Sequence, residues 1–399
     1  MDQKIDRNGD PAAGPLDPAT KLVTAGRDPS AQHGFVNTPI YRGSTVLYPN
    51  VETFLKRAAR YTYGTKGTPT TEALESAWTE LTGAAGTVLL GSGLAAISLA
   101  LMSCMRAGDH LLVTDSVYRP TRTFCDSVLK RFGVETTYYH PLLGADIGRE
   151  FRPNTRAVFT EAPGSLSFEM QDIPAIAQAA HTRGAIVLMD NTWATPLFFS
   201  PHAHGVDLSI DAGTKYLSGA SDLLLGLVSA NERCWRDLRA TFEATAFCAG
   251  PEDVFLALRG LRSMRVRLMH QQESGLAVAR WLADRPEVAR VLHPALETDP
   301  GHAIWKRDFT GASSLFSIIL KPMPDAAAHA FINALKLFGI GASWGGFESL
   351  AIPFDCTPFR AAGTWKPGGP GIRFHIGLED VGDLIDDLER GFAAMRGLR

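Results

Sequence analysis

From Thr87 onward, short apolar runs alternate with stretches of helical periodicity. "TVLL" precedes a helical pattern over about residues 94–105, the turn "RAGD" leads into "HLLVTD", and a helix over residues 119–132 precedes "VETTYYH". Then come "RAVFTEAP", a helix opened by Pro174, "AIVLMDNT", "VDLSIDAG" and "LLGLVSA". Continuous apolar runs separated by helices predict an α/β fold with a mostly parallel sheet covered on both faces. Right-handed crossovers put the C-terminal ends of such strands on one edge, where ligands bind.

A long helical stretch over about residues 252–283 ends this rhythm. After it, "VARVLHP", "SSLFSIIL", a helix near residues 326–337, "FESLAIP", "GIRFHIGL" and a last helix predict a smaller α+β unit. The expected organisation is a tail and arm over 1–65, a large domain over 66–255 and a C-terminal domain over 256–399, in keeping with a chain of 399 residues.

Composition mainly excludes. With 45% hydrophobic residues, 20% charged and a net charge of −3, the chain reads as an ordinary globular protein. No clustered basic face suggests nucleic acid, and no polybasic block suggests an anionic membrane surface. The most apolar segment, "LAAISLALMSCM", is too short to span a bilayer. Five scattered cysteines without a C-x-x-C pair read as free thiols of a reducing compartment. The start "MDQKIDRNGDPAAGPLDPAT" has no apolar signal-like core, and its Pro, Gly and Asp content predicts a mobile tail. A cytoplasmic location and a small-molecule partner, or another copy of the chain, follow as expectations. The arginine-rich "RGLRSMRVRLMH" has helical spacing and reads as a solvated or subunit-facing surface.

Three features carry candidate chemistry. Gly91-Ser92-Gly93-Leu94-Ala95-Ala96 matches G-x-G-x-x-A between a strand and a helix, and Asp115 ends the next strand. That pair fits a dinucleotide site with a ribose-binding acid, although a helix N-terminus holds a phosphate of any kind. Asp190, at the end of "AIVLMD", could bind a metal, a ribose or a cationic ring nitrogen. Lys215, at the end of another strand, is the only lysine between Lys130 and Lys306. Unlike arginine, a lysine can lose its proton and attack a carbonyl. Phosphate, aldehyde and pyridine together specify pyridoxal 5'-phosphate. "PHAHGVD" offers His202, His204 and Asp207, a weak ligand set that reads as a polar loop.

At these residues the chain resembles the pyridoxal-phosphate enzymes of cysteine and methionine metabolism. The resemblance rests on "YGTKGTPTTEALE", "GSGLAAI", "DSVYRPTRTF", "TEAPGSLSFEM", "DNTWATP", "AGTKYLSG", "SWGGFES" and "IRFHIGLEDVGDLIDDL". Within the family, "PGS" and "SWGG" are most similar to the bacterial cystathionine β-lyases. The resemblance implies an aspartate-aminotransferase-like, fold type I architecture and a pyridoxal-phosphate carbon–sulfur lyase. Lys215 then resembles the Schiff-base lysine, Asp190 the partner of the pyridine nitrogen and Tyr118 the tyrosine stacked on the ring. Gly93, Leu94 and Thr214 resemble the phosphate-holding residues, and Ser165 the neighbour of the phenolic oxygen. Tyr63 is similar to a residue donated into the neighbouring subunit's site. Arg373, with Ser343 and Trp344 beside it, resembles the arginine that grips the substrate α-carboxylate.

The implied reaction is β-elimination of cystathionine to homocysteine, pyruvate and ammonia, with cystine or cysteine conjugates as further substrates. The implied assembly is a homotetramer, a dimer of dimers. A γ-lyase or γ-synthase of the same family and a distant NAD-dependent oxidoreductase stand as alternatives. Two positions depart from the family: Thr65 stands where an arginine is usual and Ala212 where a serine is frequent, both on the phosphate side. Either Lys66 and Ser92 compensate, or the cofactor is held less firmly.

Overall fold

A computed structural model describes residues 16–363 and 365–397. Seven strands, β1 (Gly86–Leu90), β2 (His110–Thr114), β3 (Glu135–Tyr139), β4 (Thr155–Glu161), β5 (Ile186–Asp190), β6 (Leu208–Asp211) and β7 (Gly226–Ala230), form one sheet. Their order is β1-β7-β6-β5-β4-β2-β3. The five strands from β6 to β3 run parallel, and β7 pairs antiparallel with both β1 and β6.

Strand alternation explains the continuous apolar runs. Leu89, Leu112, Val158 and Val187 face a core shared with Trp78, Ile173 and Val254. Their neighbours Val88, Leu90, Leu111, Val113 and Leu188 face a second core under Ile97, Leu101 and Leu238. Both faces are dry, so neither strand face carries a polar period. The parallel strands β4, β5 and β6 end together, with Glu161 paired in register to Asp190 and Asp190 to Ile210.

The second sheet, β8 (Val288–Leu292), β9 (Leu315–Leu320), β10 (Leu350–Phe354) and β11 (Gly371–His375), is antiparallel with order β10-β11-β9-β8. Phe316, Ile318 and Phe374 pack there against Phe331, Leu388 and Phe392 of its covering helices. The helix Pro251–Ala283 touches both cores through Val254 at one end and Val278 at the other.

Some expectations need correction. The proposed tail lies outside the described residues up to position 15, but from Pro18 the chain is helical. The helix Pro18–Thr24 is capped by Asp17, whose carboxylate accepts Ala19 N–H at 2.7 Å, and it buries Leu22. The arginine-rich stretch is not wholly a solvated face. Arg262 Nη1 donates to the Leu22 and Ala25 carbonyls at 2.8 and 2.9 Å, and Arg267 Nη1 to the Tyr216 carbonyl at 2.8 Å. Periodicity places these arginines on a helix but says nothing of the open carbonyls opposite them. The helix expected over 119–132 carries a π-helical turn at Cys125–Leu129, a local widening that hydrophobic spacing does not reveal. Among the described residues no helix is long and apolar enough to cross a membrane.

Asp115 is also reassigned. It is almost wholly buried, and Arg122 Nη2 donates to its Oδ1 at 2.6 Å. The N–H groups of Ala361, Ala362 and Gly363 reach the same carboxylate at 2.9 to 3.2 Å. Both oxygens are occupied, so no ribose hydroxyl has an acceptor there. The carboxylate instead fastens the β10–β11 connection onto the large sheet, helped by Arg360 Nη2 at 2.8 Å from Glu169 Oε1. Asp115→Ala strands a buried guanidinium and three backbone donors. It is expected to cost about 3 kcal/mol or more, read as a lower urea midpoint for loss of far-UV circular dichroism.

Candidate active site

A cavity of about 240 Å³ opens at the C-terminal edge of β4, β5 and β6 and runs to the loop before β10. Ser92, Gly93 and Leu94 line one end, where the helix Gly93–Cys104 begins. First-turn N–H groups of a helix have no intrahelical acceptor and attract an anion. The close approach needs glycine: a Cβ at Gly93 would stand 2.7 Å from the Ala212 Cβ. Ser92 caps the helix by accepting Ala95 N–H at 3.1 Å. Thr214 lies beside this end, its Oγ1 donating to the Leu225 carbonyl at 3.2 Å and accepting Leu225 N–H at 3.0 Å. A phosphate there would draw the Thr214 proton from a long hydrogen bond.

Lys215 follows β6 in a tight turn closed by its own N–H to the Ala212 carbonyl at 3.0 Å. The turn's next carbonyls, Tyr216 and Leu217, are taken by Arg267. The amine donates to Ser343 Oγ at 2.6 Å and sits 5.3 Å from the Trp344 ring centre. Burial, reinforced by the Arg373 charge, pulls the amine down to about 8, with Asp190 acting the other way. A tenth or so of such an amine is neutral near pH 7, far more than of a free lysine.

Asp190 accepts from Thr192 N–H at 3.0 Å and Thr192 Oγ1 at 2.6 Å. Burial raises its carboxyl, while these bonds and Lys215 oppose the rise. On the neighbouring strand Glu161 is half-buried, and desolvation with the Asp190 charge raises it well above the usual carboxylate range. Two carboxyls side by side do not both ionise readily, and Asp190, held by two Thr192 donors and favoured by the Lys215 charge, is the one suited to carry it. A cationic group in the cavity gains that charge as its partner. Glu161 Oε2 also accepts Tyr118 N–H at 2.7 Å, fixing the backbone that carries the half-exposed Tyr118 ring on the cavity wall.

On the far side, Arg373 is buried, and its Nη2 donates to the carbonyls of Gly341, Ala342 and Ser343 at 3.3, 3.2 and 2.9 Å. Its Nε is buried with no partner among the described residues. Burial lowers the group to about 10, which leaves it charged at neutral pH. A fixed guanidinium with an unused buried donor is suited to a carboxylate. Ser165 lines the same cavity, its N–H donating to the Ser116 carbonyl at 2.8 Å.

Sequence reasoning thus names residues that meet in one cavity, with two qualifications. Tyr63 does not line it; with Thr65 it lies along a separate groove beside Arg42 and Glu252, and its ring is half exposed. Lys66 is engaged with Glu243 at 3.3 Å, so as folded it is not a free cation for a phosphate. Glu161 and Thr192 were missed, although Glu161 carries the same sign as Asp190, an acid ending an apolar strand. His202 and Asp207 are used locally, His202 Nδ1 meeting the Val206 carbonyl at 2.8 Å and Asp207 Oδ2 accepting Val187 N–H at 2.8 Å.

The cavity therefore offers an anion cradle at a helix N-terminus, a depressed amine, a half-buried carboxylate and a buried guanidinium, a set that fits pyridoxal 5'-phosphate and an amino acid. Several known proteins are similar to this chain over most of its length. The Escherichia coli (strain K12) cystathionine beta-lyase MetC is 43% identical over 386 residues, covering 94% of this chain and 98% of that one. A cystathionine gamma-synthase of Mycobacterium bovis is 34% identical over 379 residues, 94% of this chain and 96% of that one. The solved structure of cystathionine gamma-lyase from Lactobacillus plantarum complexed with L-serine superposes with a TM-score of 0.87 at 28% identity, covering 96% of this chain and 100% of that one. The family model described as Cys/Met metabolism PLP-dependent enzyme matches residues 19–393, which is nearly the whole chain, and the chain belongs to that family.

Proposed function

We propose that this protein is a cystathionine β-lyase, cleaving cystathionine and water to homocysteine, pyruvate and ammonia. The observation that carries the reading is the Lys215 amine, 2.6 Å from Ser343 Oγ in one cavity with Asp190 and Arg373. The higher identity to the β-lyase of E. coli than to the γ-synthase of M. bovis favours β- over γ-elimination.

In this reading Gly93, Leu94 and Thr214 would hold the cofactor phosphate, Asp190 would pair with its ring nitrogen, Tyr118 would pack against its ring and Ser165 would serve its phenolic oxygen. When bound, pyridoxal 5'-phosphate supplies the electron sink for charge developing at the substrate α-carbon. The chain's own residues do the rest. Arg373 grips the α-carboxylate through its unused donors, and Ser343 and Trp344 close the pocket over it. Lys215 removes the α-proton, a task for which a neutral amine is required. Asp190 retains its negative charge because Glu161 beside it stays protonated. The thioether sulfur departs from the β-carbon with a proton to give homocysteine. Water then converts the three-carbon remainder to pyruvate and ammonia.

The active assembly in this reading is a cytoplasmic homotetramer built of dimers, with the arm of residues 1–65 reaching the adjacent copy's large domain (66–255) and Tyr63 completing that copy's site. The C-terminal domain (256–399) supplies Arg373. The arm's apolar surface supports this: Leu47 is 89% and Leu55 74% exposed, beside the exposed Phe35, Val51 and Phe54. Apolar exposure on this scale along one arm marks an association surface.

Incubation of the cofactor-saturated protein with cystathionine, with the keto acid identified, tests the reading. Pyruvate together with homocysteine is expected. Formation of 2-oxobutyrate with cysteine would replace the β-lyase by a γ-lyase.

A further inference from the structure

Arg373 and His375 stand two residues apart on β11, so their side chains leave the same face of the sheet. Arg373 gathers the carbonyls of residues 341–343, and His375 lies beneath the next turn of the same loop. The imidazole is fully buried. Its Nε2 is 3.1 Å from Gly345 N and 3.2 Å from the Gly346 carbonyl, and its Nδ1 is 3.2 Å from Ser314 Oγ.

The neighbours decide which nitrogen carries the proton. The Ser314 hydroxyl gives its proton to the Ile376 carbonyl at 2.7 Å, so toward the ring its oxygen accepts. The Gly346 carbonyl is already served by Gln271 Nε2 at 2.8 Å, whereas the Gly345 N–H needs an acceptor. Assigned from this network, Nδ1–H donates to Ser314 and a bare Nε2 accepts from Gly345. Burial keeps the ring neutral, pulling it down to about 3.

We infer that His375 is a positioning residue: by accepting the Gly345 N–H it pins the loop against Lys215 and sets Ser343 and Trp344 on the lysine amine. The inference rests on the reading of Lys215 as the reactive group. Gly345, at φ +84°, is so close to the lysine that a Cβ there would stand 2.9 Å from Lys215 Cα. The residues just before it supply the 2.6 Å hydroxyl contact and the indole over the amine. Tyr216, whose ring centre is 5.5 Å from that of Trp344 and 6.0 Å from that of His375, fills the space between them. Strand, loop and lysine are thus linked through one nitrogen lone pair.

The test uses the full chain freed of cofactor. Acetylation of Lys215 by acetic anhydride is followed against pH from the mass of its peptide. The charged and titratable groups that line the cavity with the amine are Glu161 from β4, Asp190 from β5, Arg373 from β11 and Tyr118 from the start of the helix Arg119–Phe124; none is altered. In His375→Leu, which keeps bulk without an acceptor, the loop no longer covers the amine, and the labelling midpoint is expected to move up by about one pH unit. His375→Gln, whose carboxamide oxygen reaches the Nε2 position, is expected to restore the parent midpoint. In the loaded enzyme kcat is expected to fall on the order of tenfold to a hundredfold for the leucine variant and to recover with glutamine. A leucine variant of native circular dichroism that labels at the parent midpoint overturns the inference. Should the leucine variant not fold, Ser314→Ala takes its place: a midpoint shifted upward supports the role, and an unchanged one overturns it. Labelling needs no substrate, so its failure is separable from failure of the β-elimination reading, which the keto acid decides.

Discussion

Lys215→Ala is expected to abolish pyruvate formation, with at least a 10²- to 10⁴-fold loss from the missing base alone and more from the lost covalent anchor. The argument follows from the site: the amine is depressed to about 8, and the carboxyls beside it, Glu161 and Asp190, are both raised by burial. Among the described residues no other group on the cavity wall combines a partly neutral base near pH 7 with that place. Lys215→Arg is expected to be equally inactive, since a guanidinium stays protonated and cannot attack a carbonyl. Cofactor binding should survive in both variants in a reversible form, because the helix N-terminus, Thr214 and Asp190 are untouched. Equilibrium dialysis separates that outcome from a collapsed site. An alanine variant retaining a tenth of parental turnover would assign the proton transfer elsewhere.

Arg373→Leu is expected to lower kcat/KM about 10²- to 10³-fold, the scale of truncating one partner of a buried, hydrogen-bonded charge pair. The parent should discriminate strongly between cystathionine and an analogue whose reacting α-carboxylate is an amide. The leucine variant should treat the two nearly alike. Lysine is not a conservative replacement here, because Nη2 of Arg373 also binds the carbonyls of residues 341–343. Initial rates with both substrates read the effect, and a variant that still discriminates would place carboxylate recognition on another residue.

The central strands were legible in the sequence because burial on both faces leaves unbroken apolar runs, and their C-terminal ends are where Asp190 and Lys215 stand out. The helix Pro69–Thr82, which precedes the first apolar run, went unread, as did Glu232–Thr245. What pattern could not give are partnerships across long sequence gaps. Glu161 matters through the Tyr118 N–H, 43 positions away, and His375 through Gly345, 30 positions away. Asp115 shows the same limit in reverse. Its place after a strand suited a ribose, yet the donors that occupy it come from residues 361–363. No local spacing encodes a loop that arrives from the other sheet.

That arriving loop governs how the cleft can breathe. It is anchored at its ends on β10 and β11 and at its middle on Asp115 and Glu169, and Arg119 lies over Phe359 with its guanidinium 4.2 Å from the ring centre. Swinging the small sheet outward would pull the Ala361, Ala362 and Gly363 N–H groups off a buried carboxylate at once. Widening of the cleft is therefore opposed by those three backbone bonds together with the Arg360–Glu169 pair. Leu94 and Tyr118, which line the cavity and are 39% and 44% exposed, form its open rim.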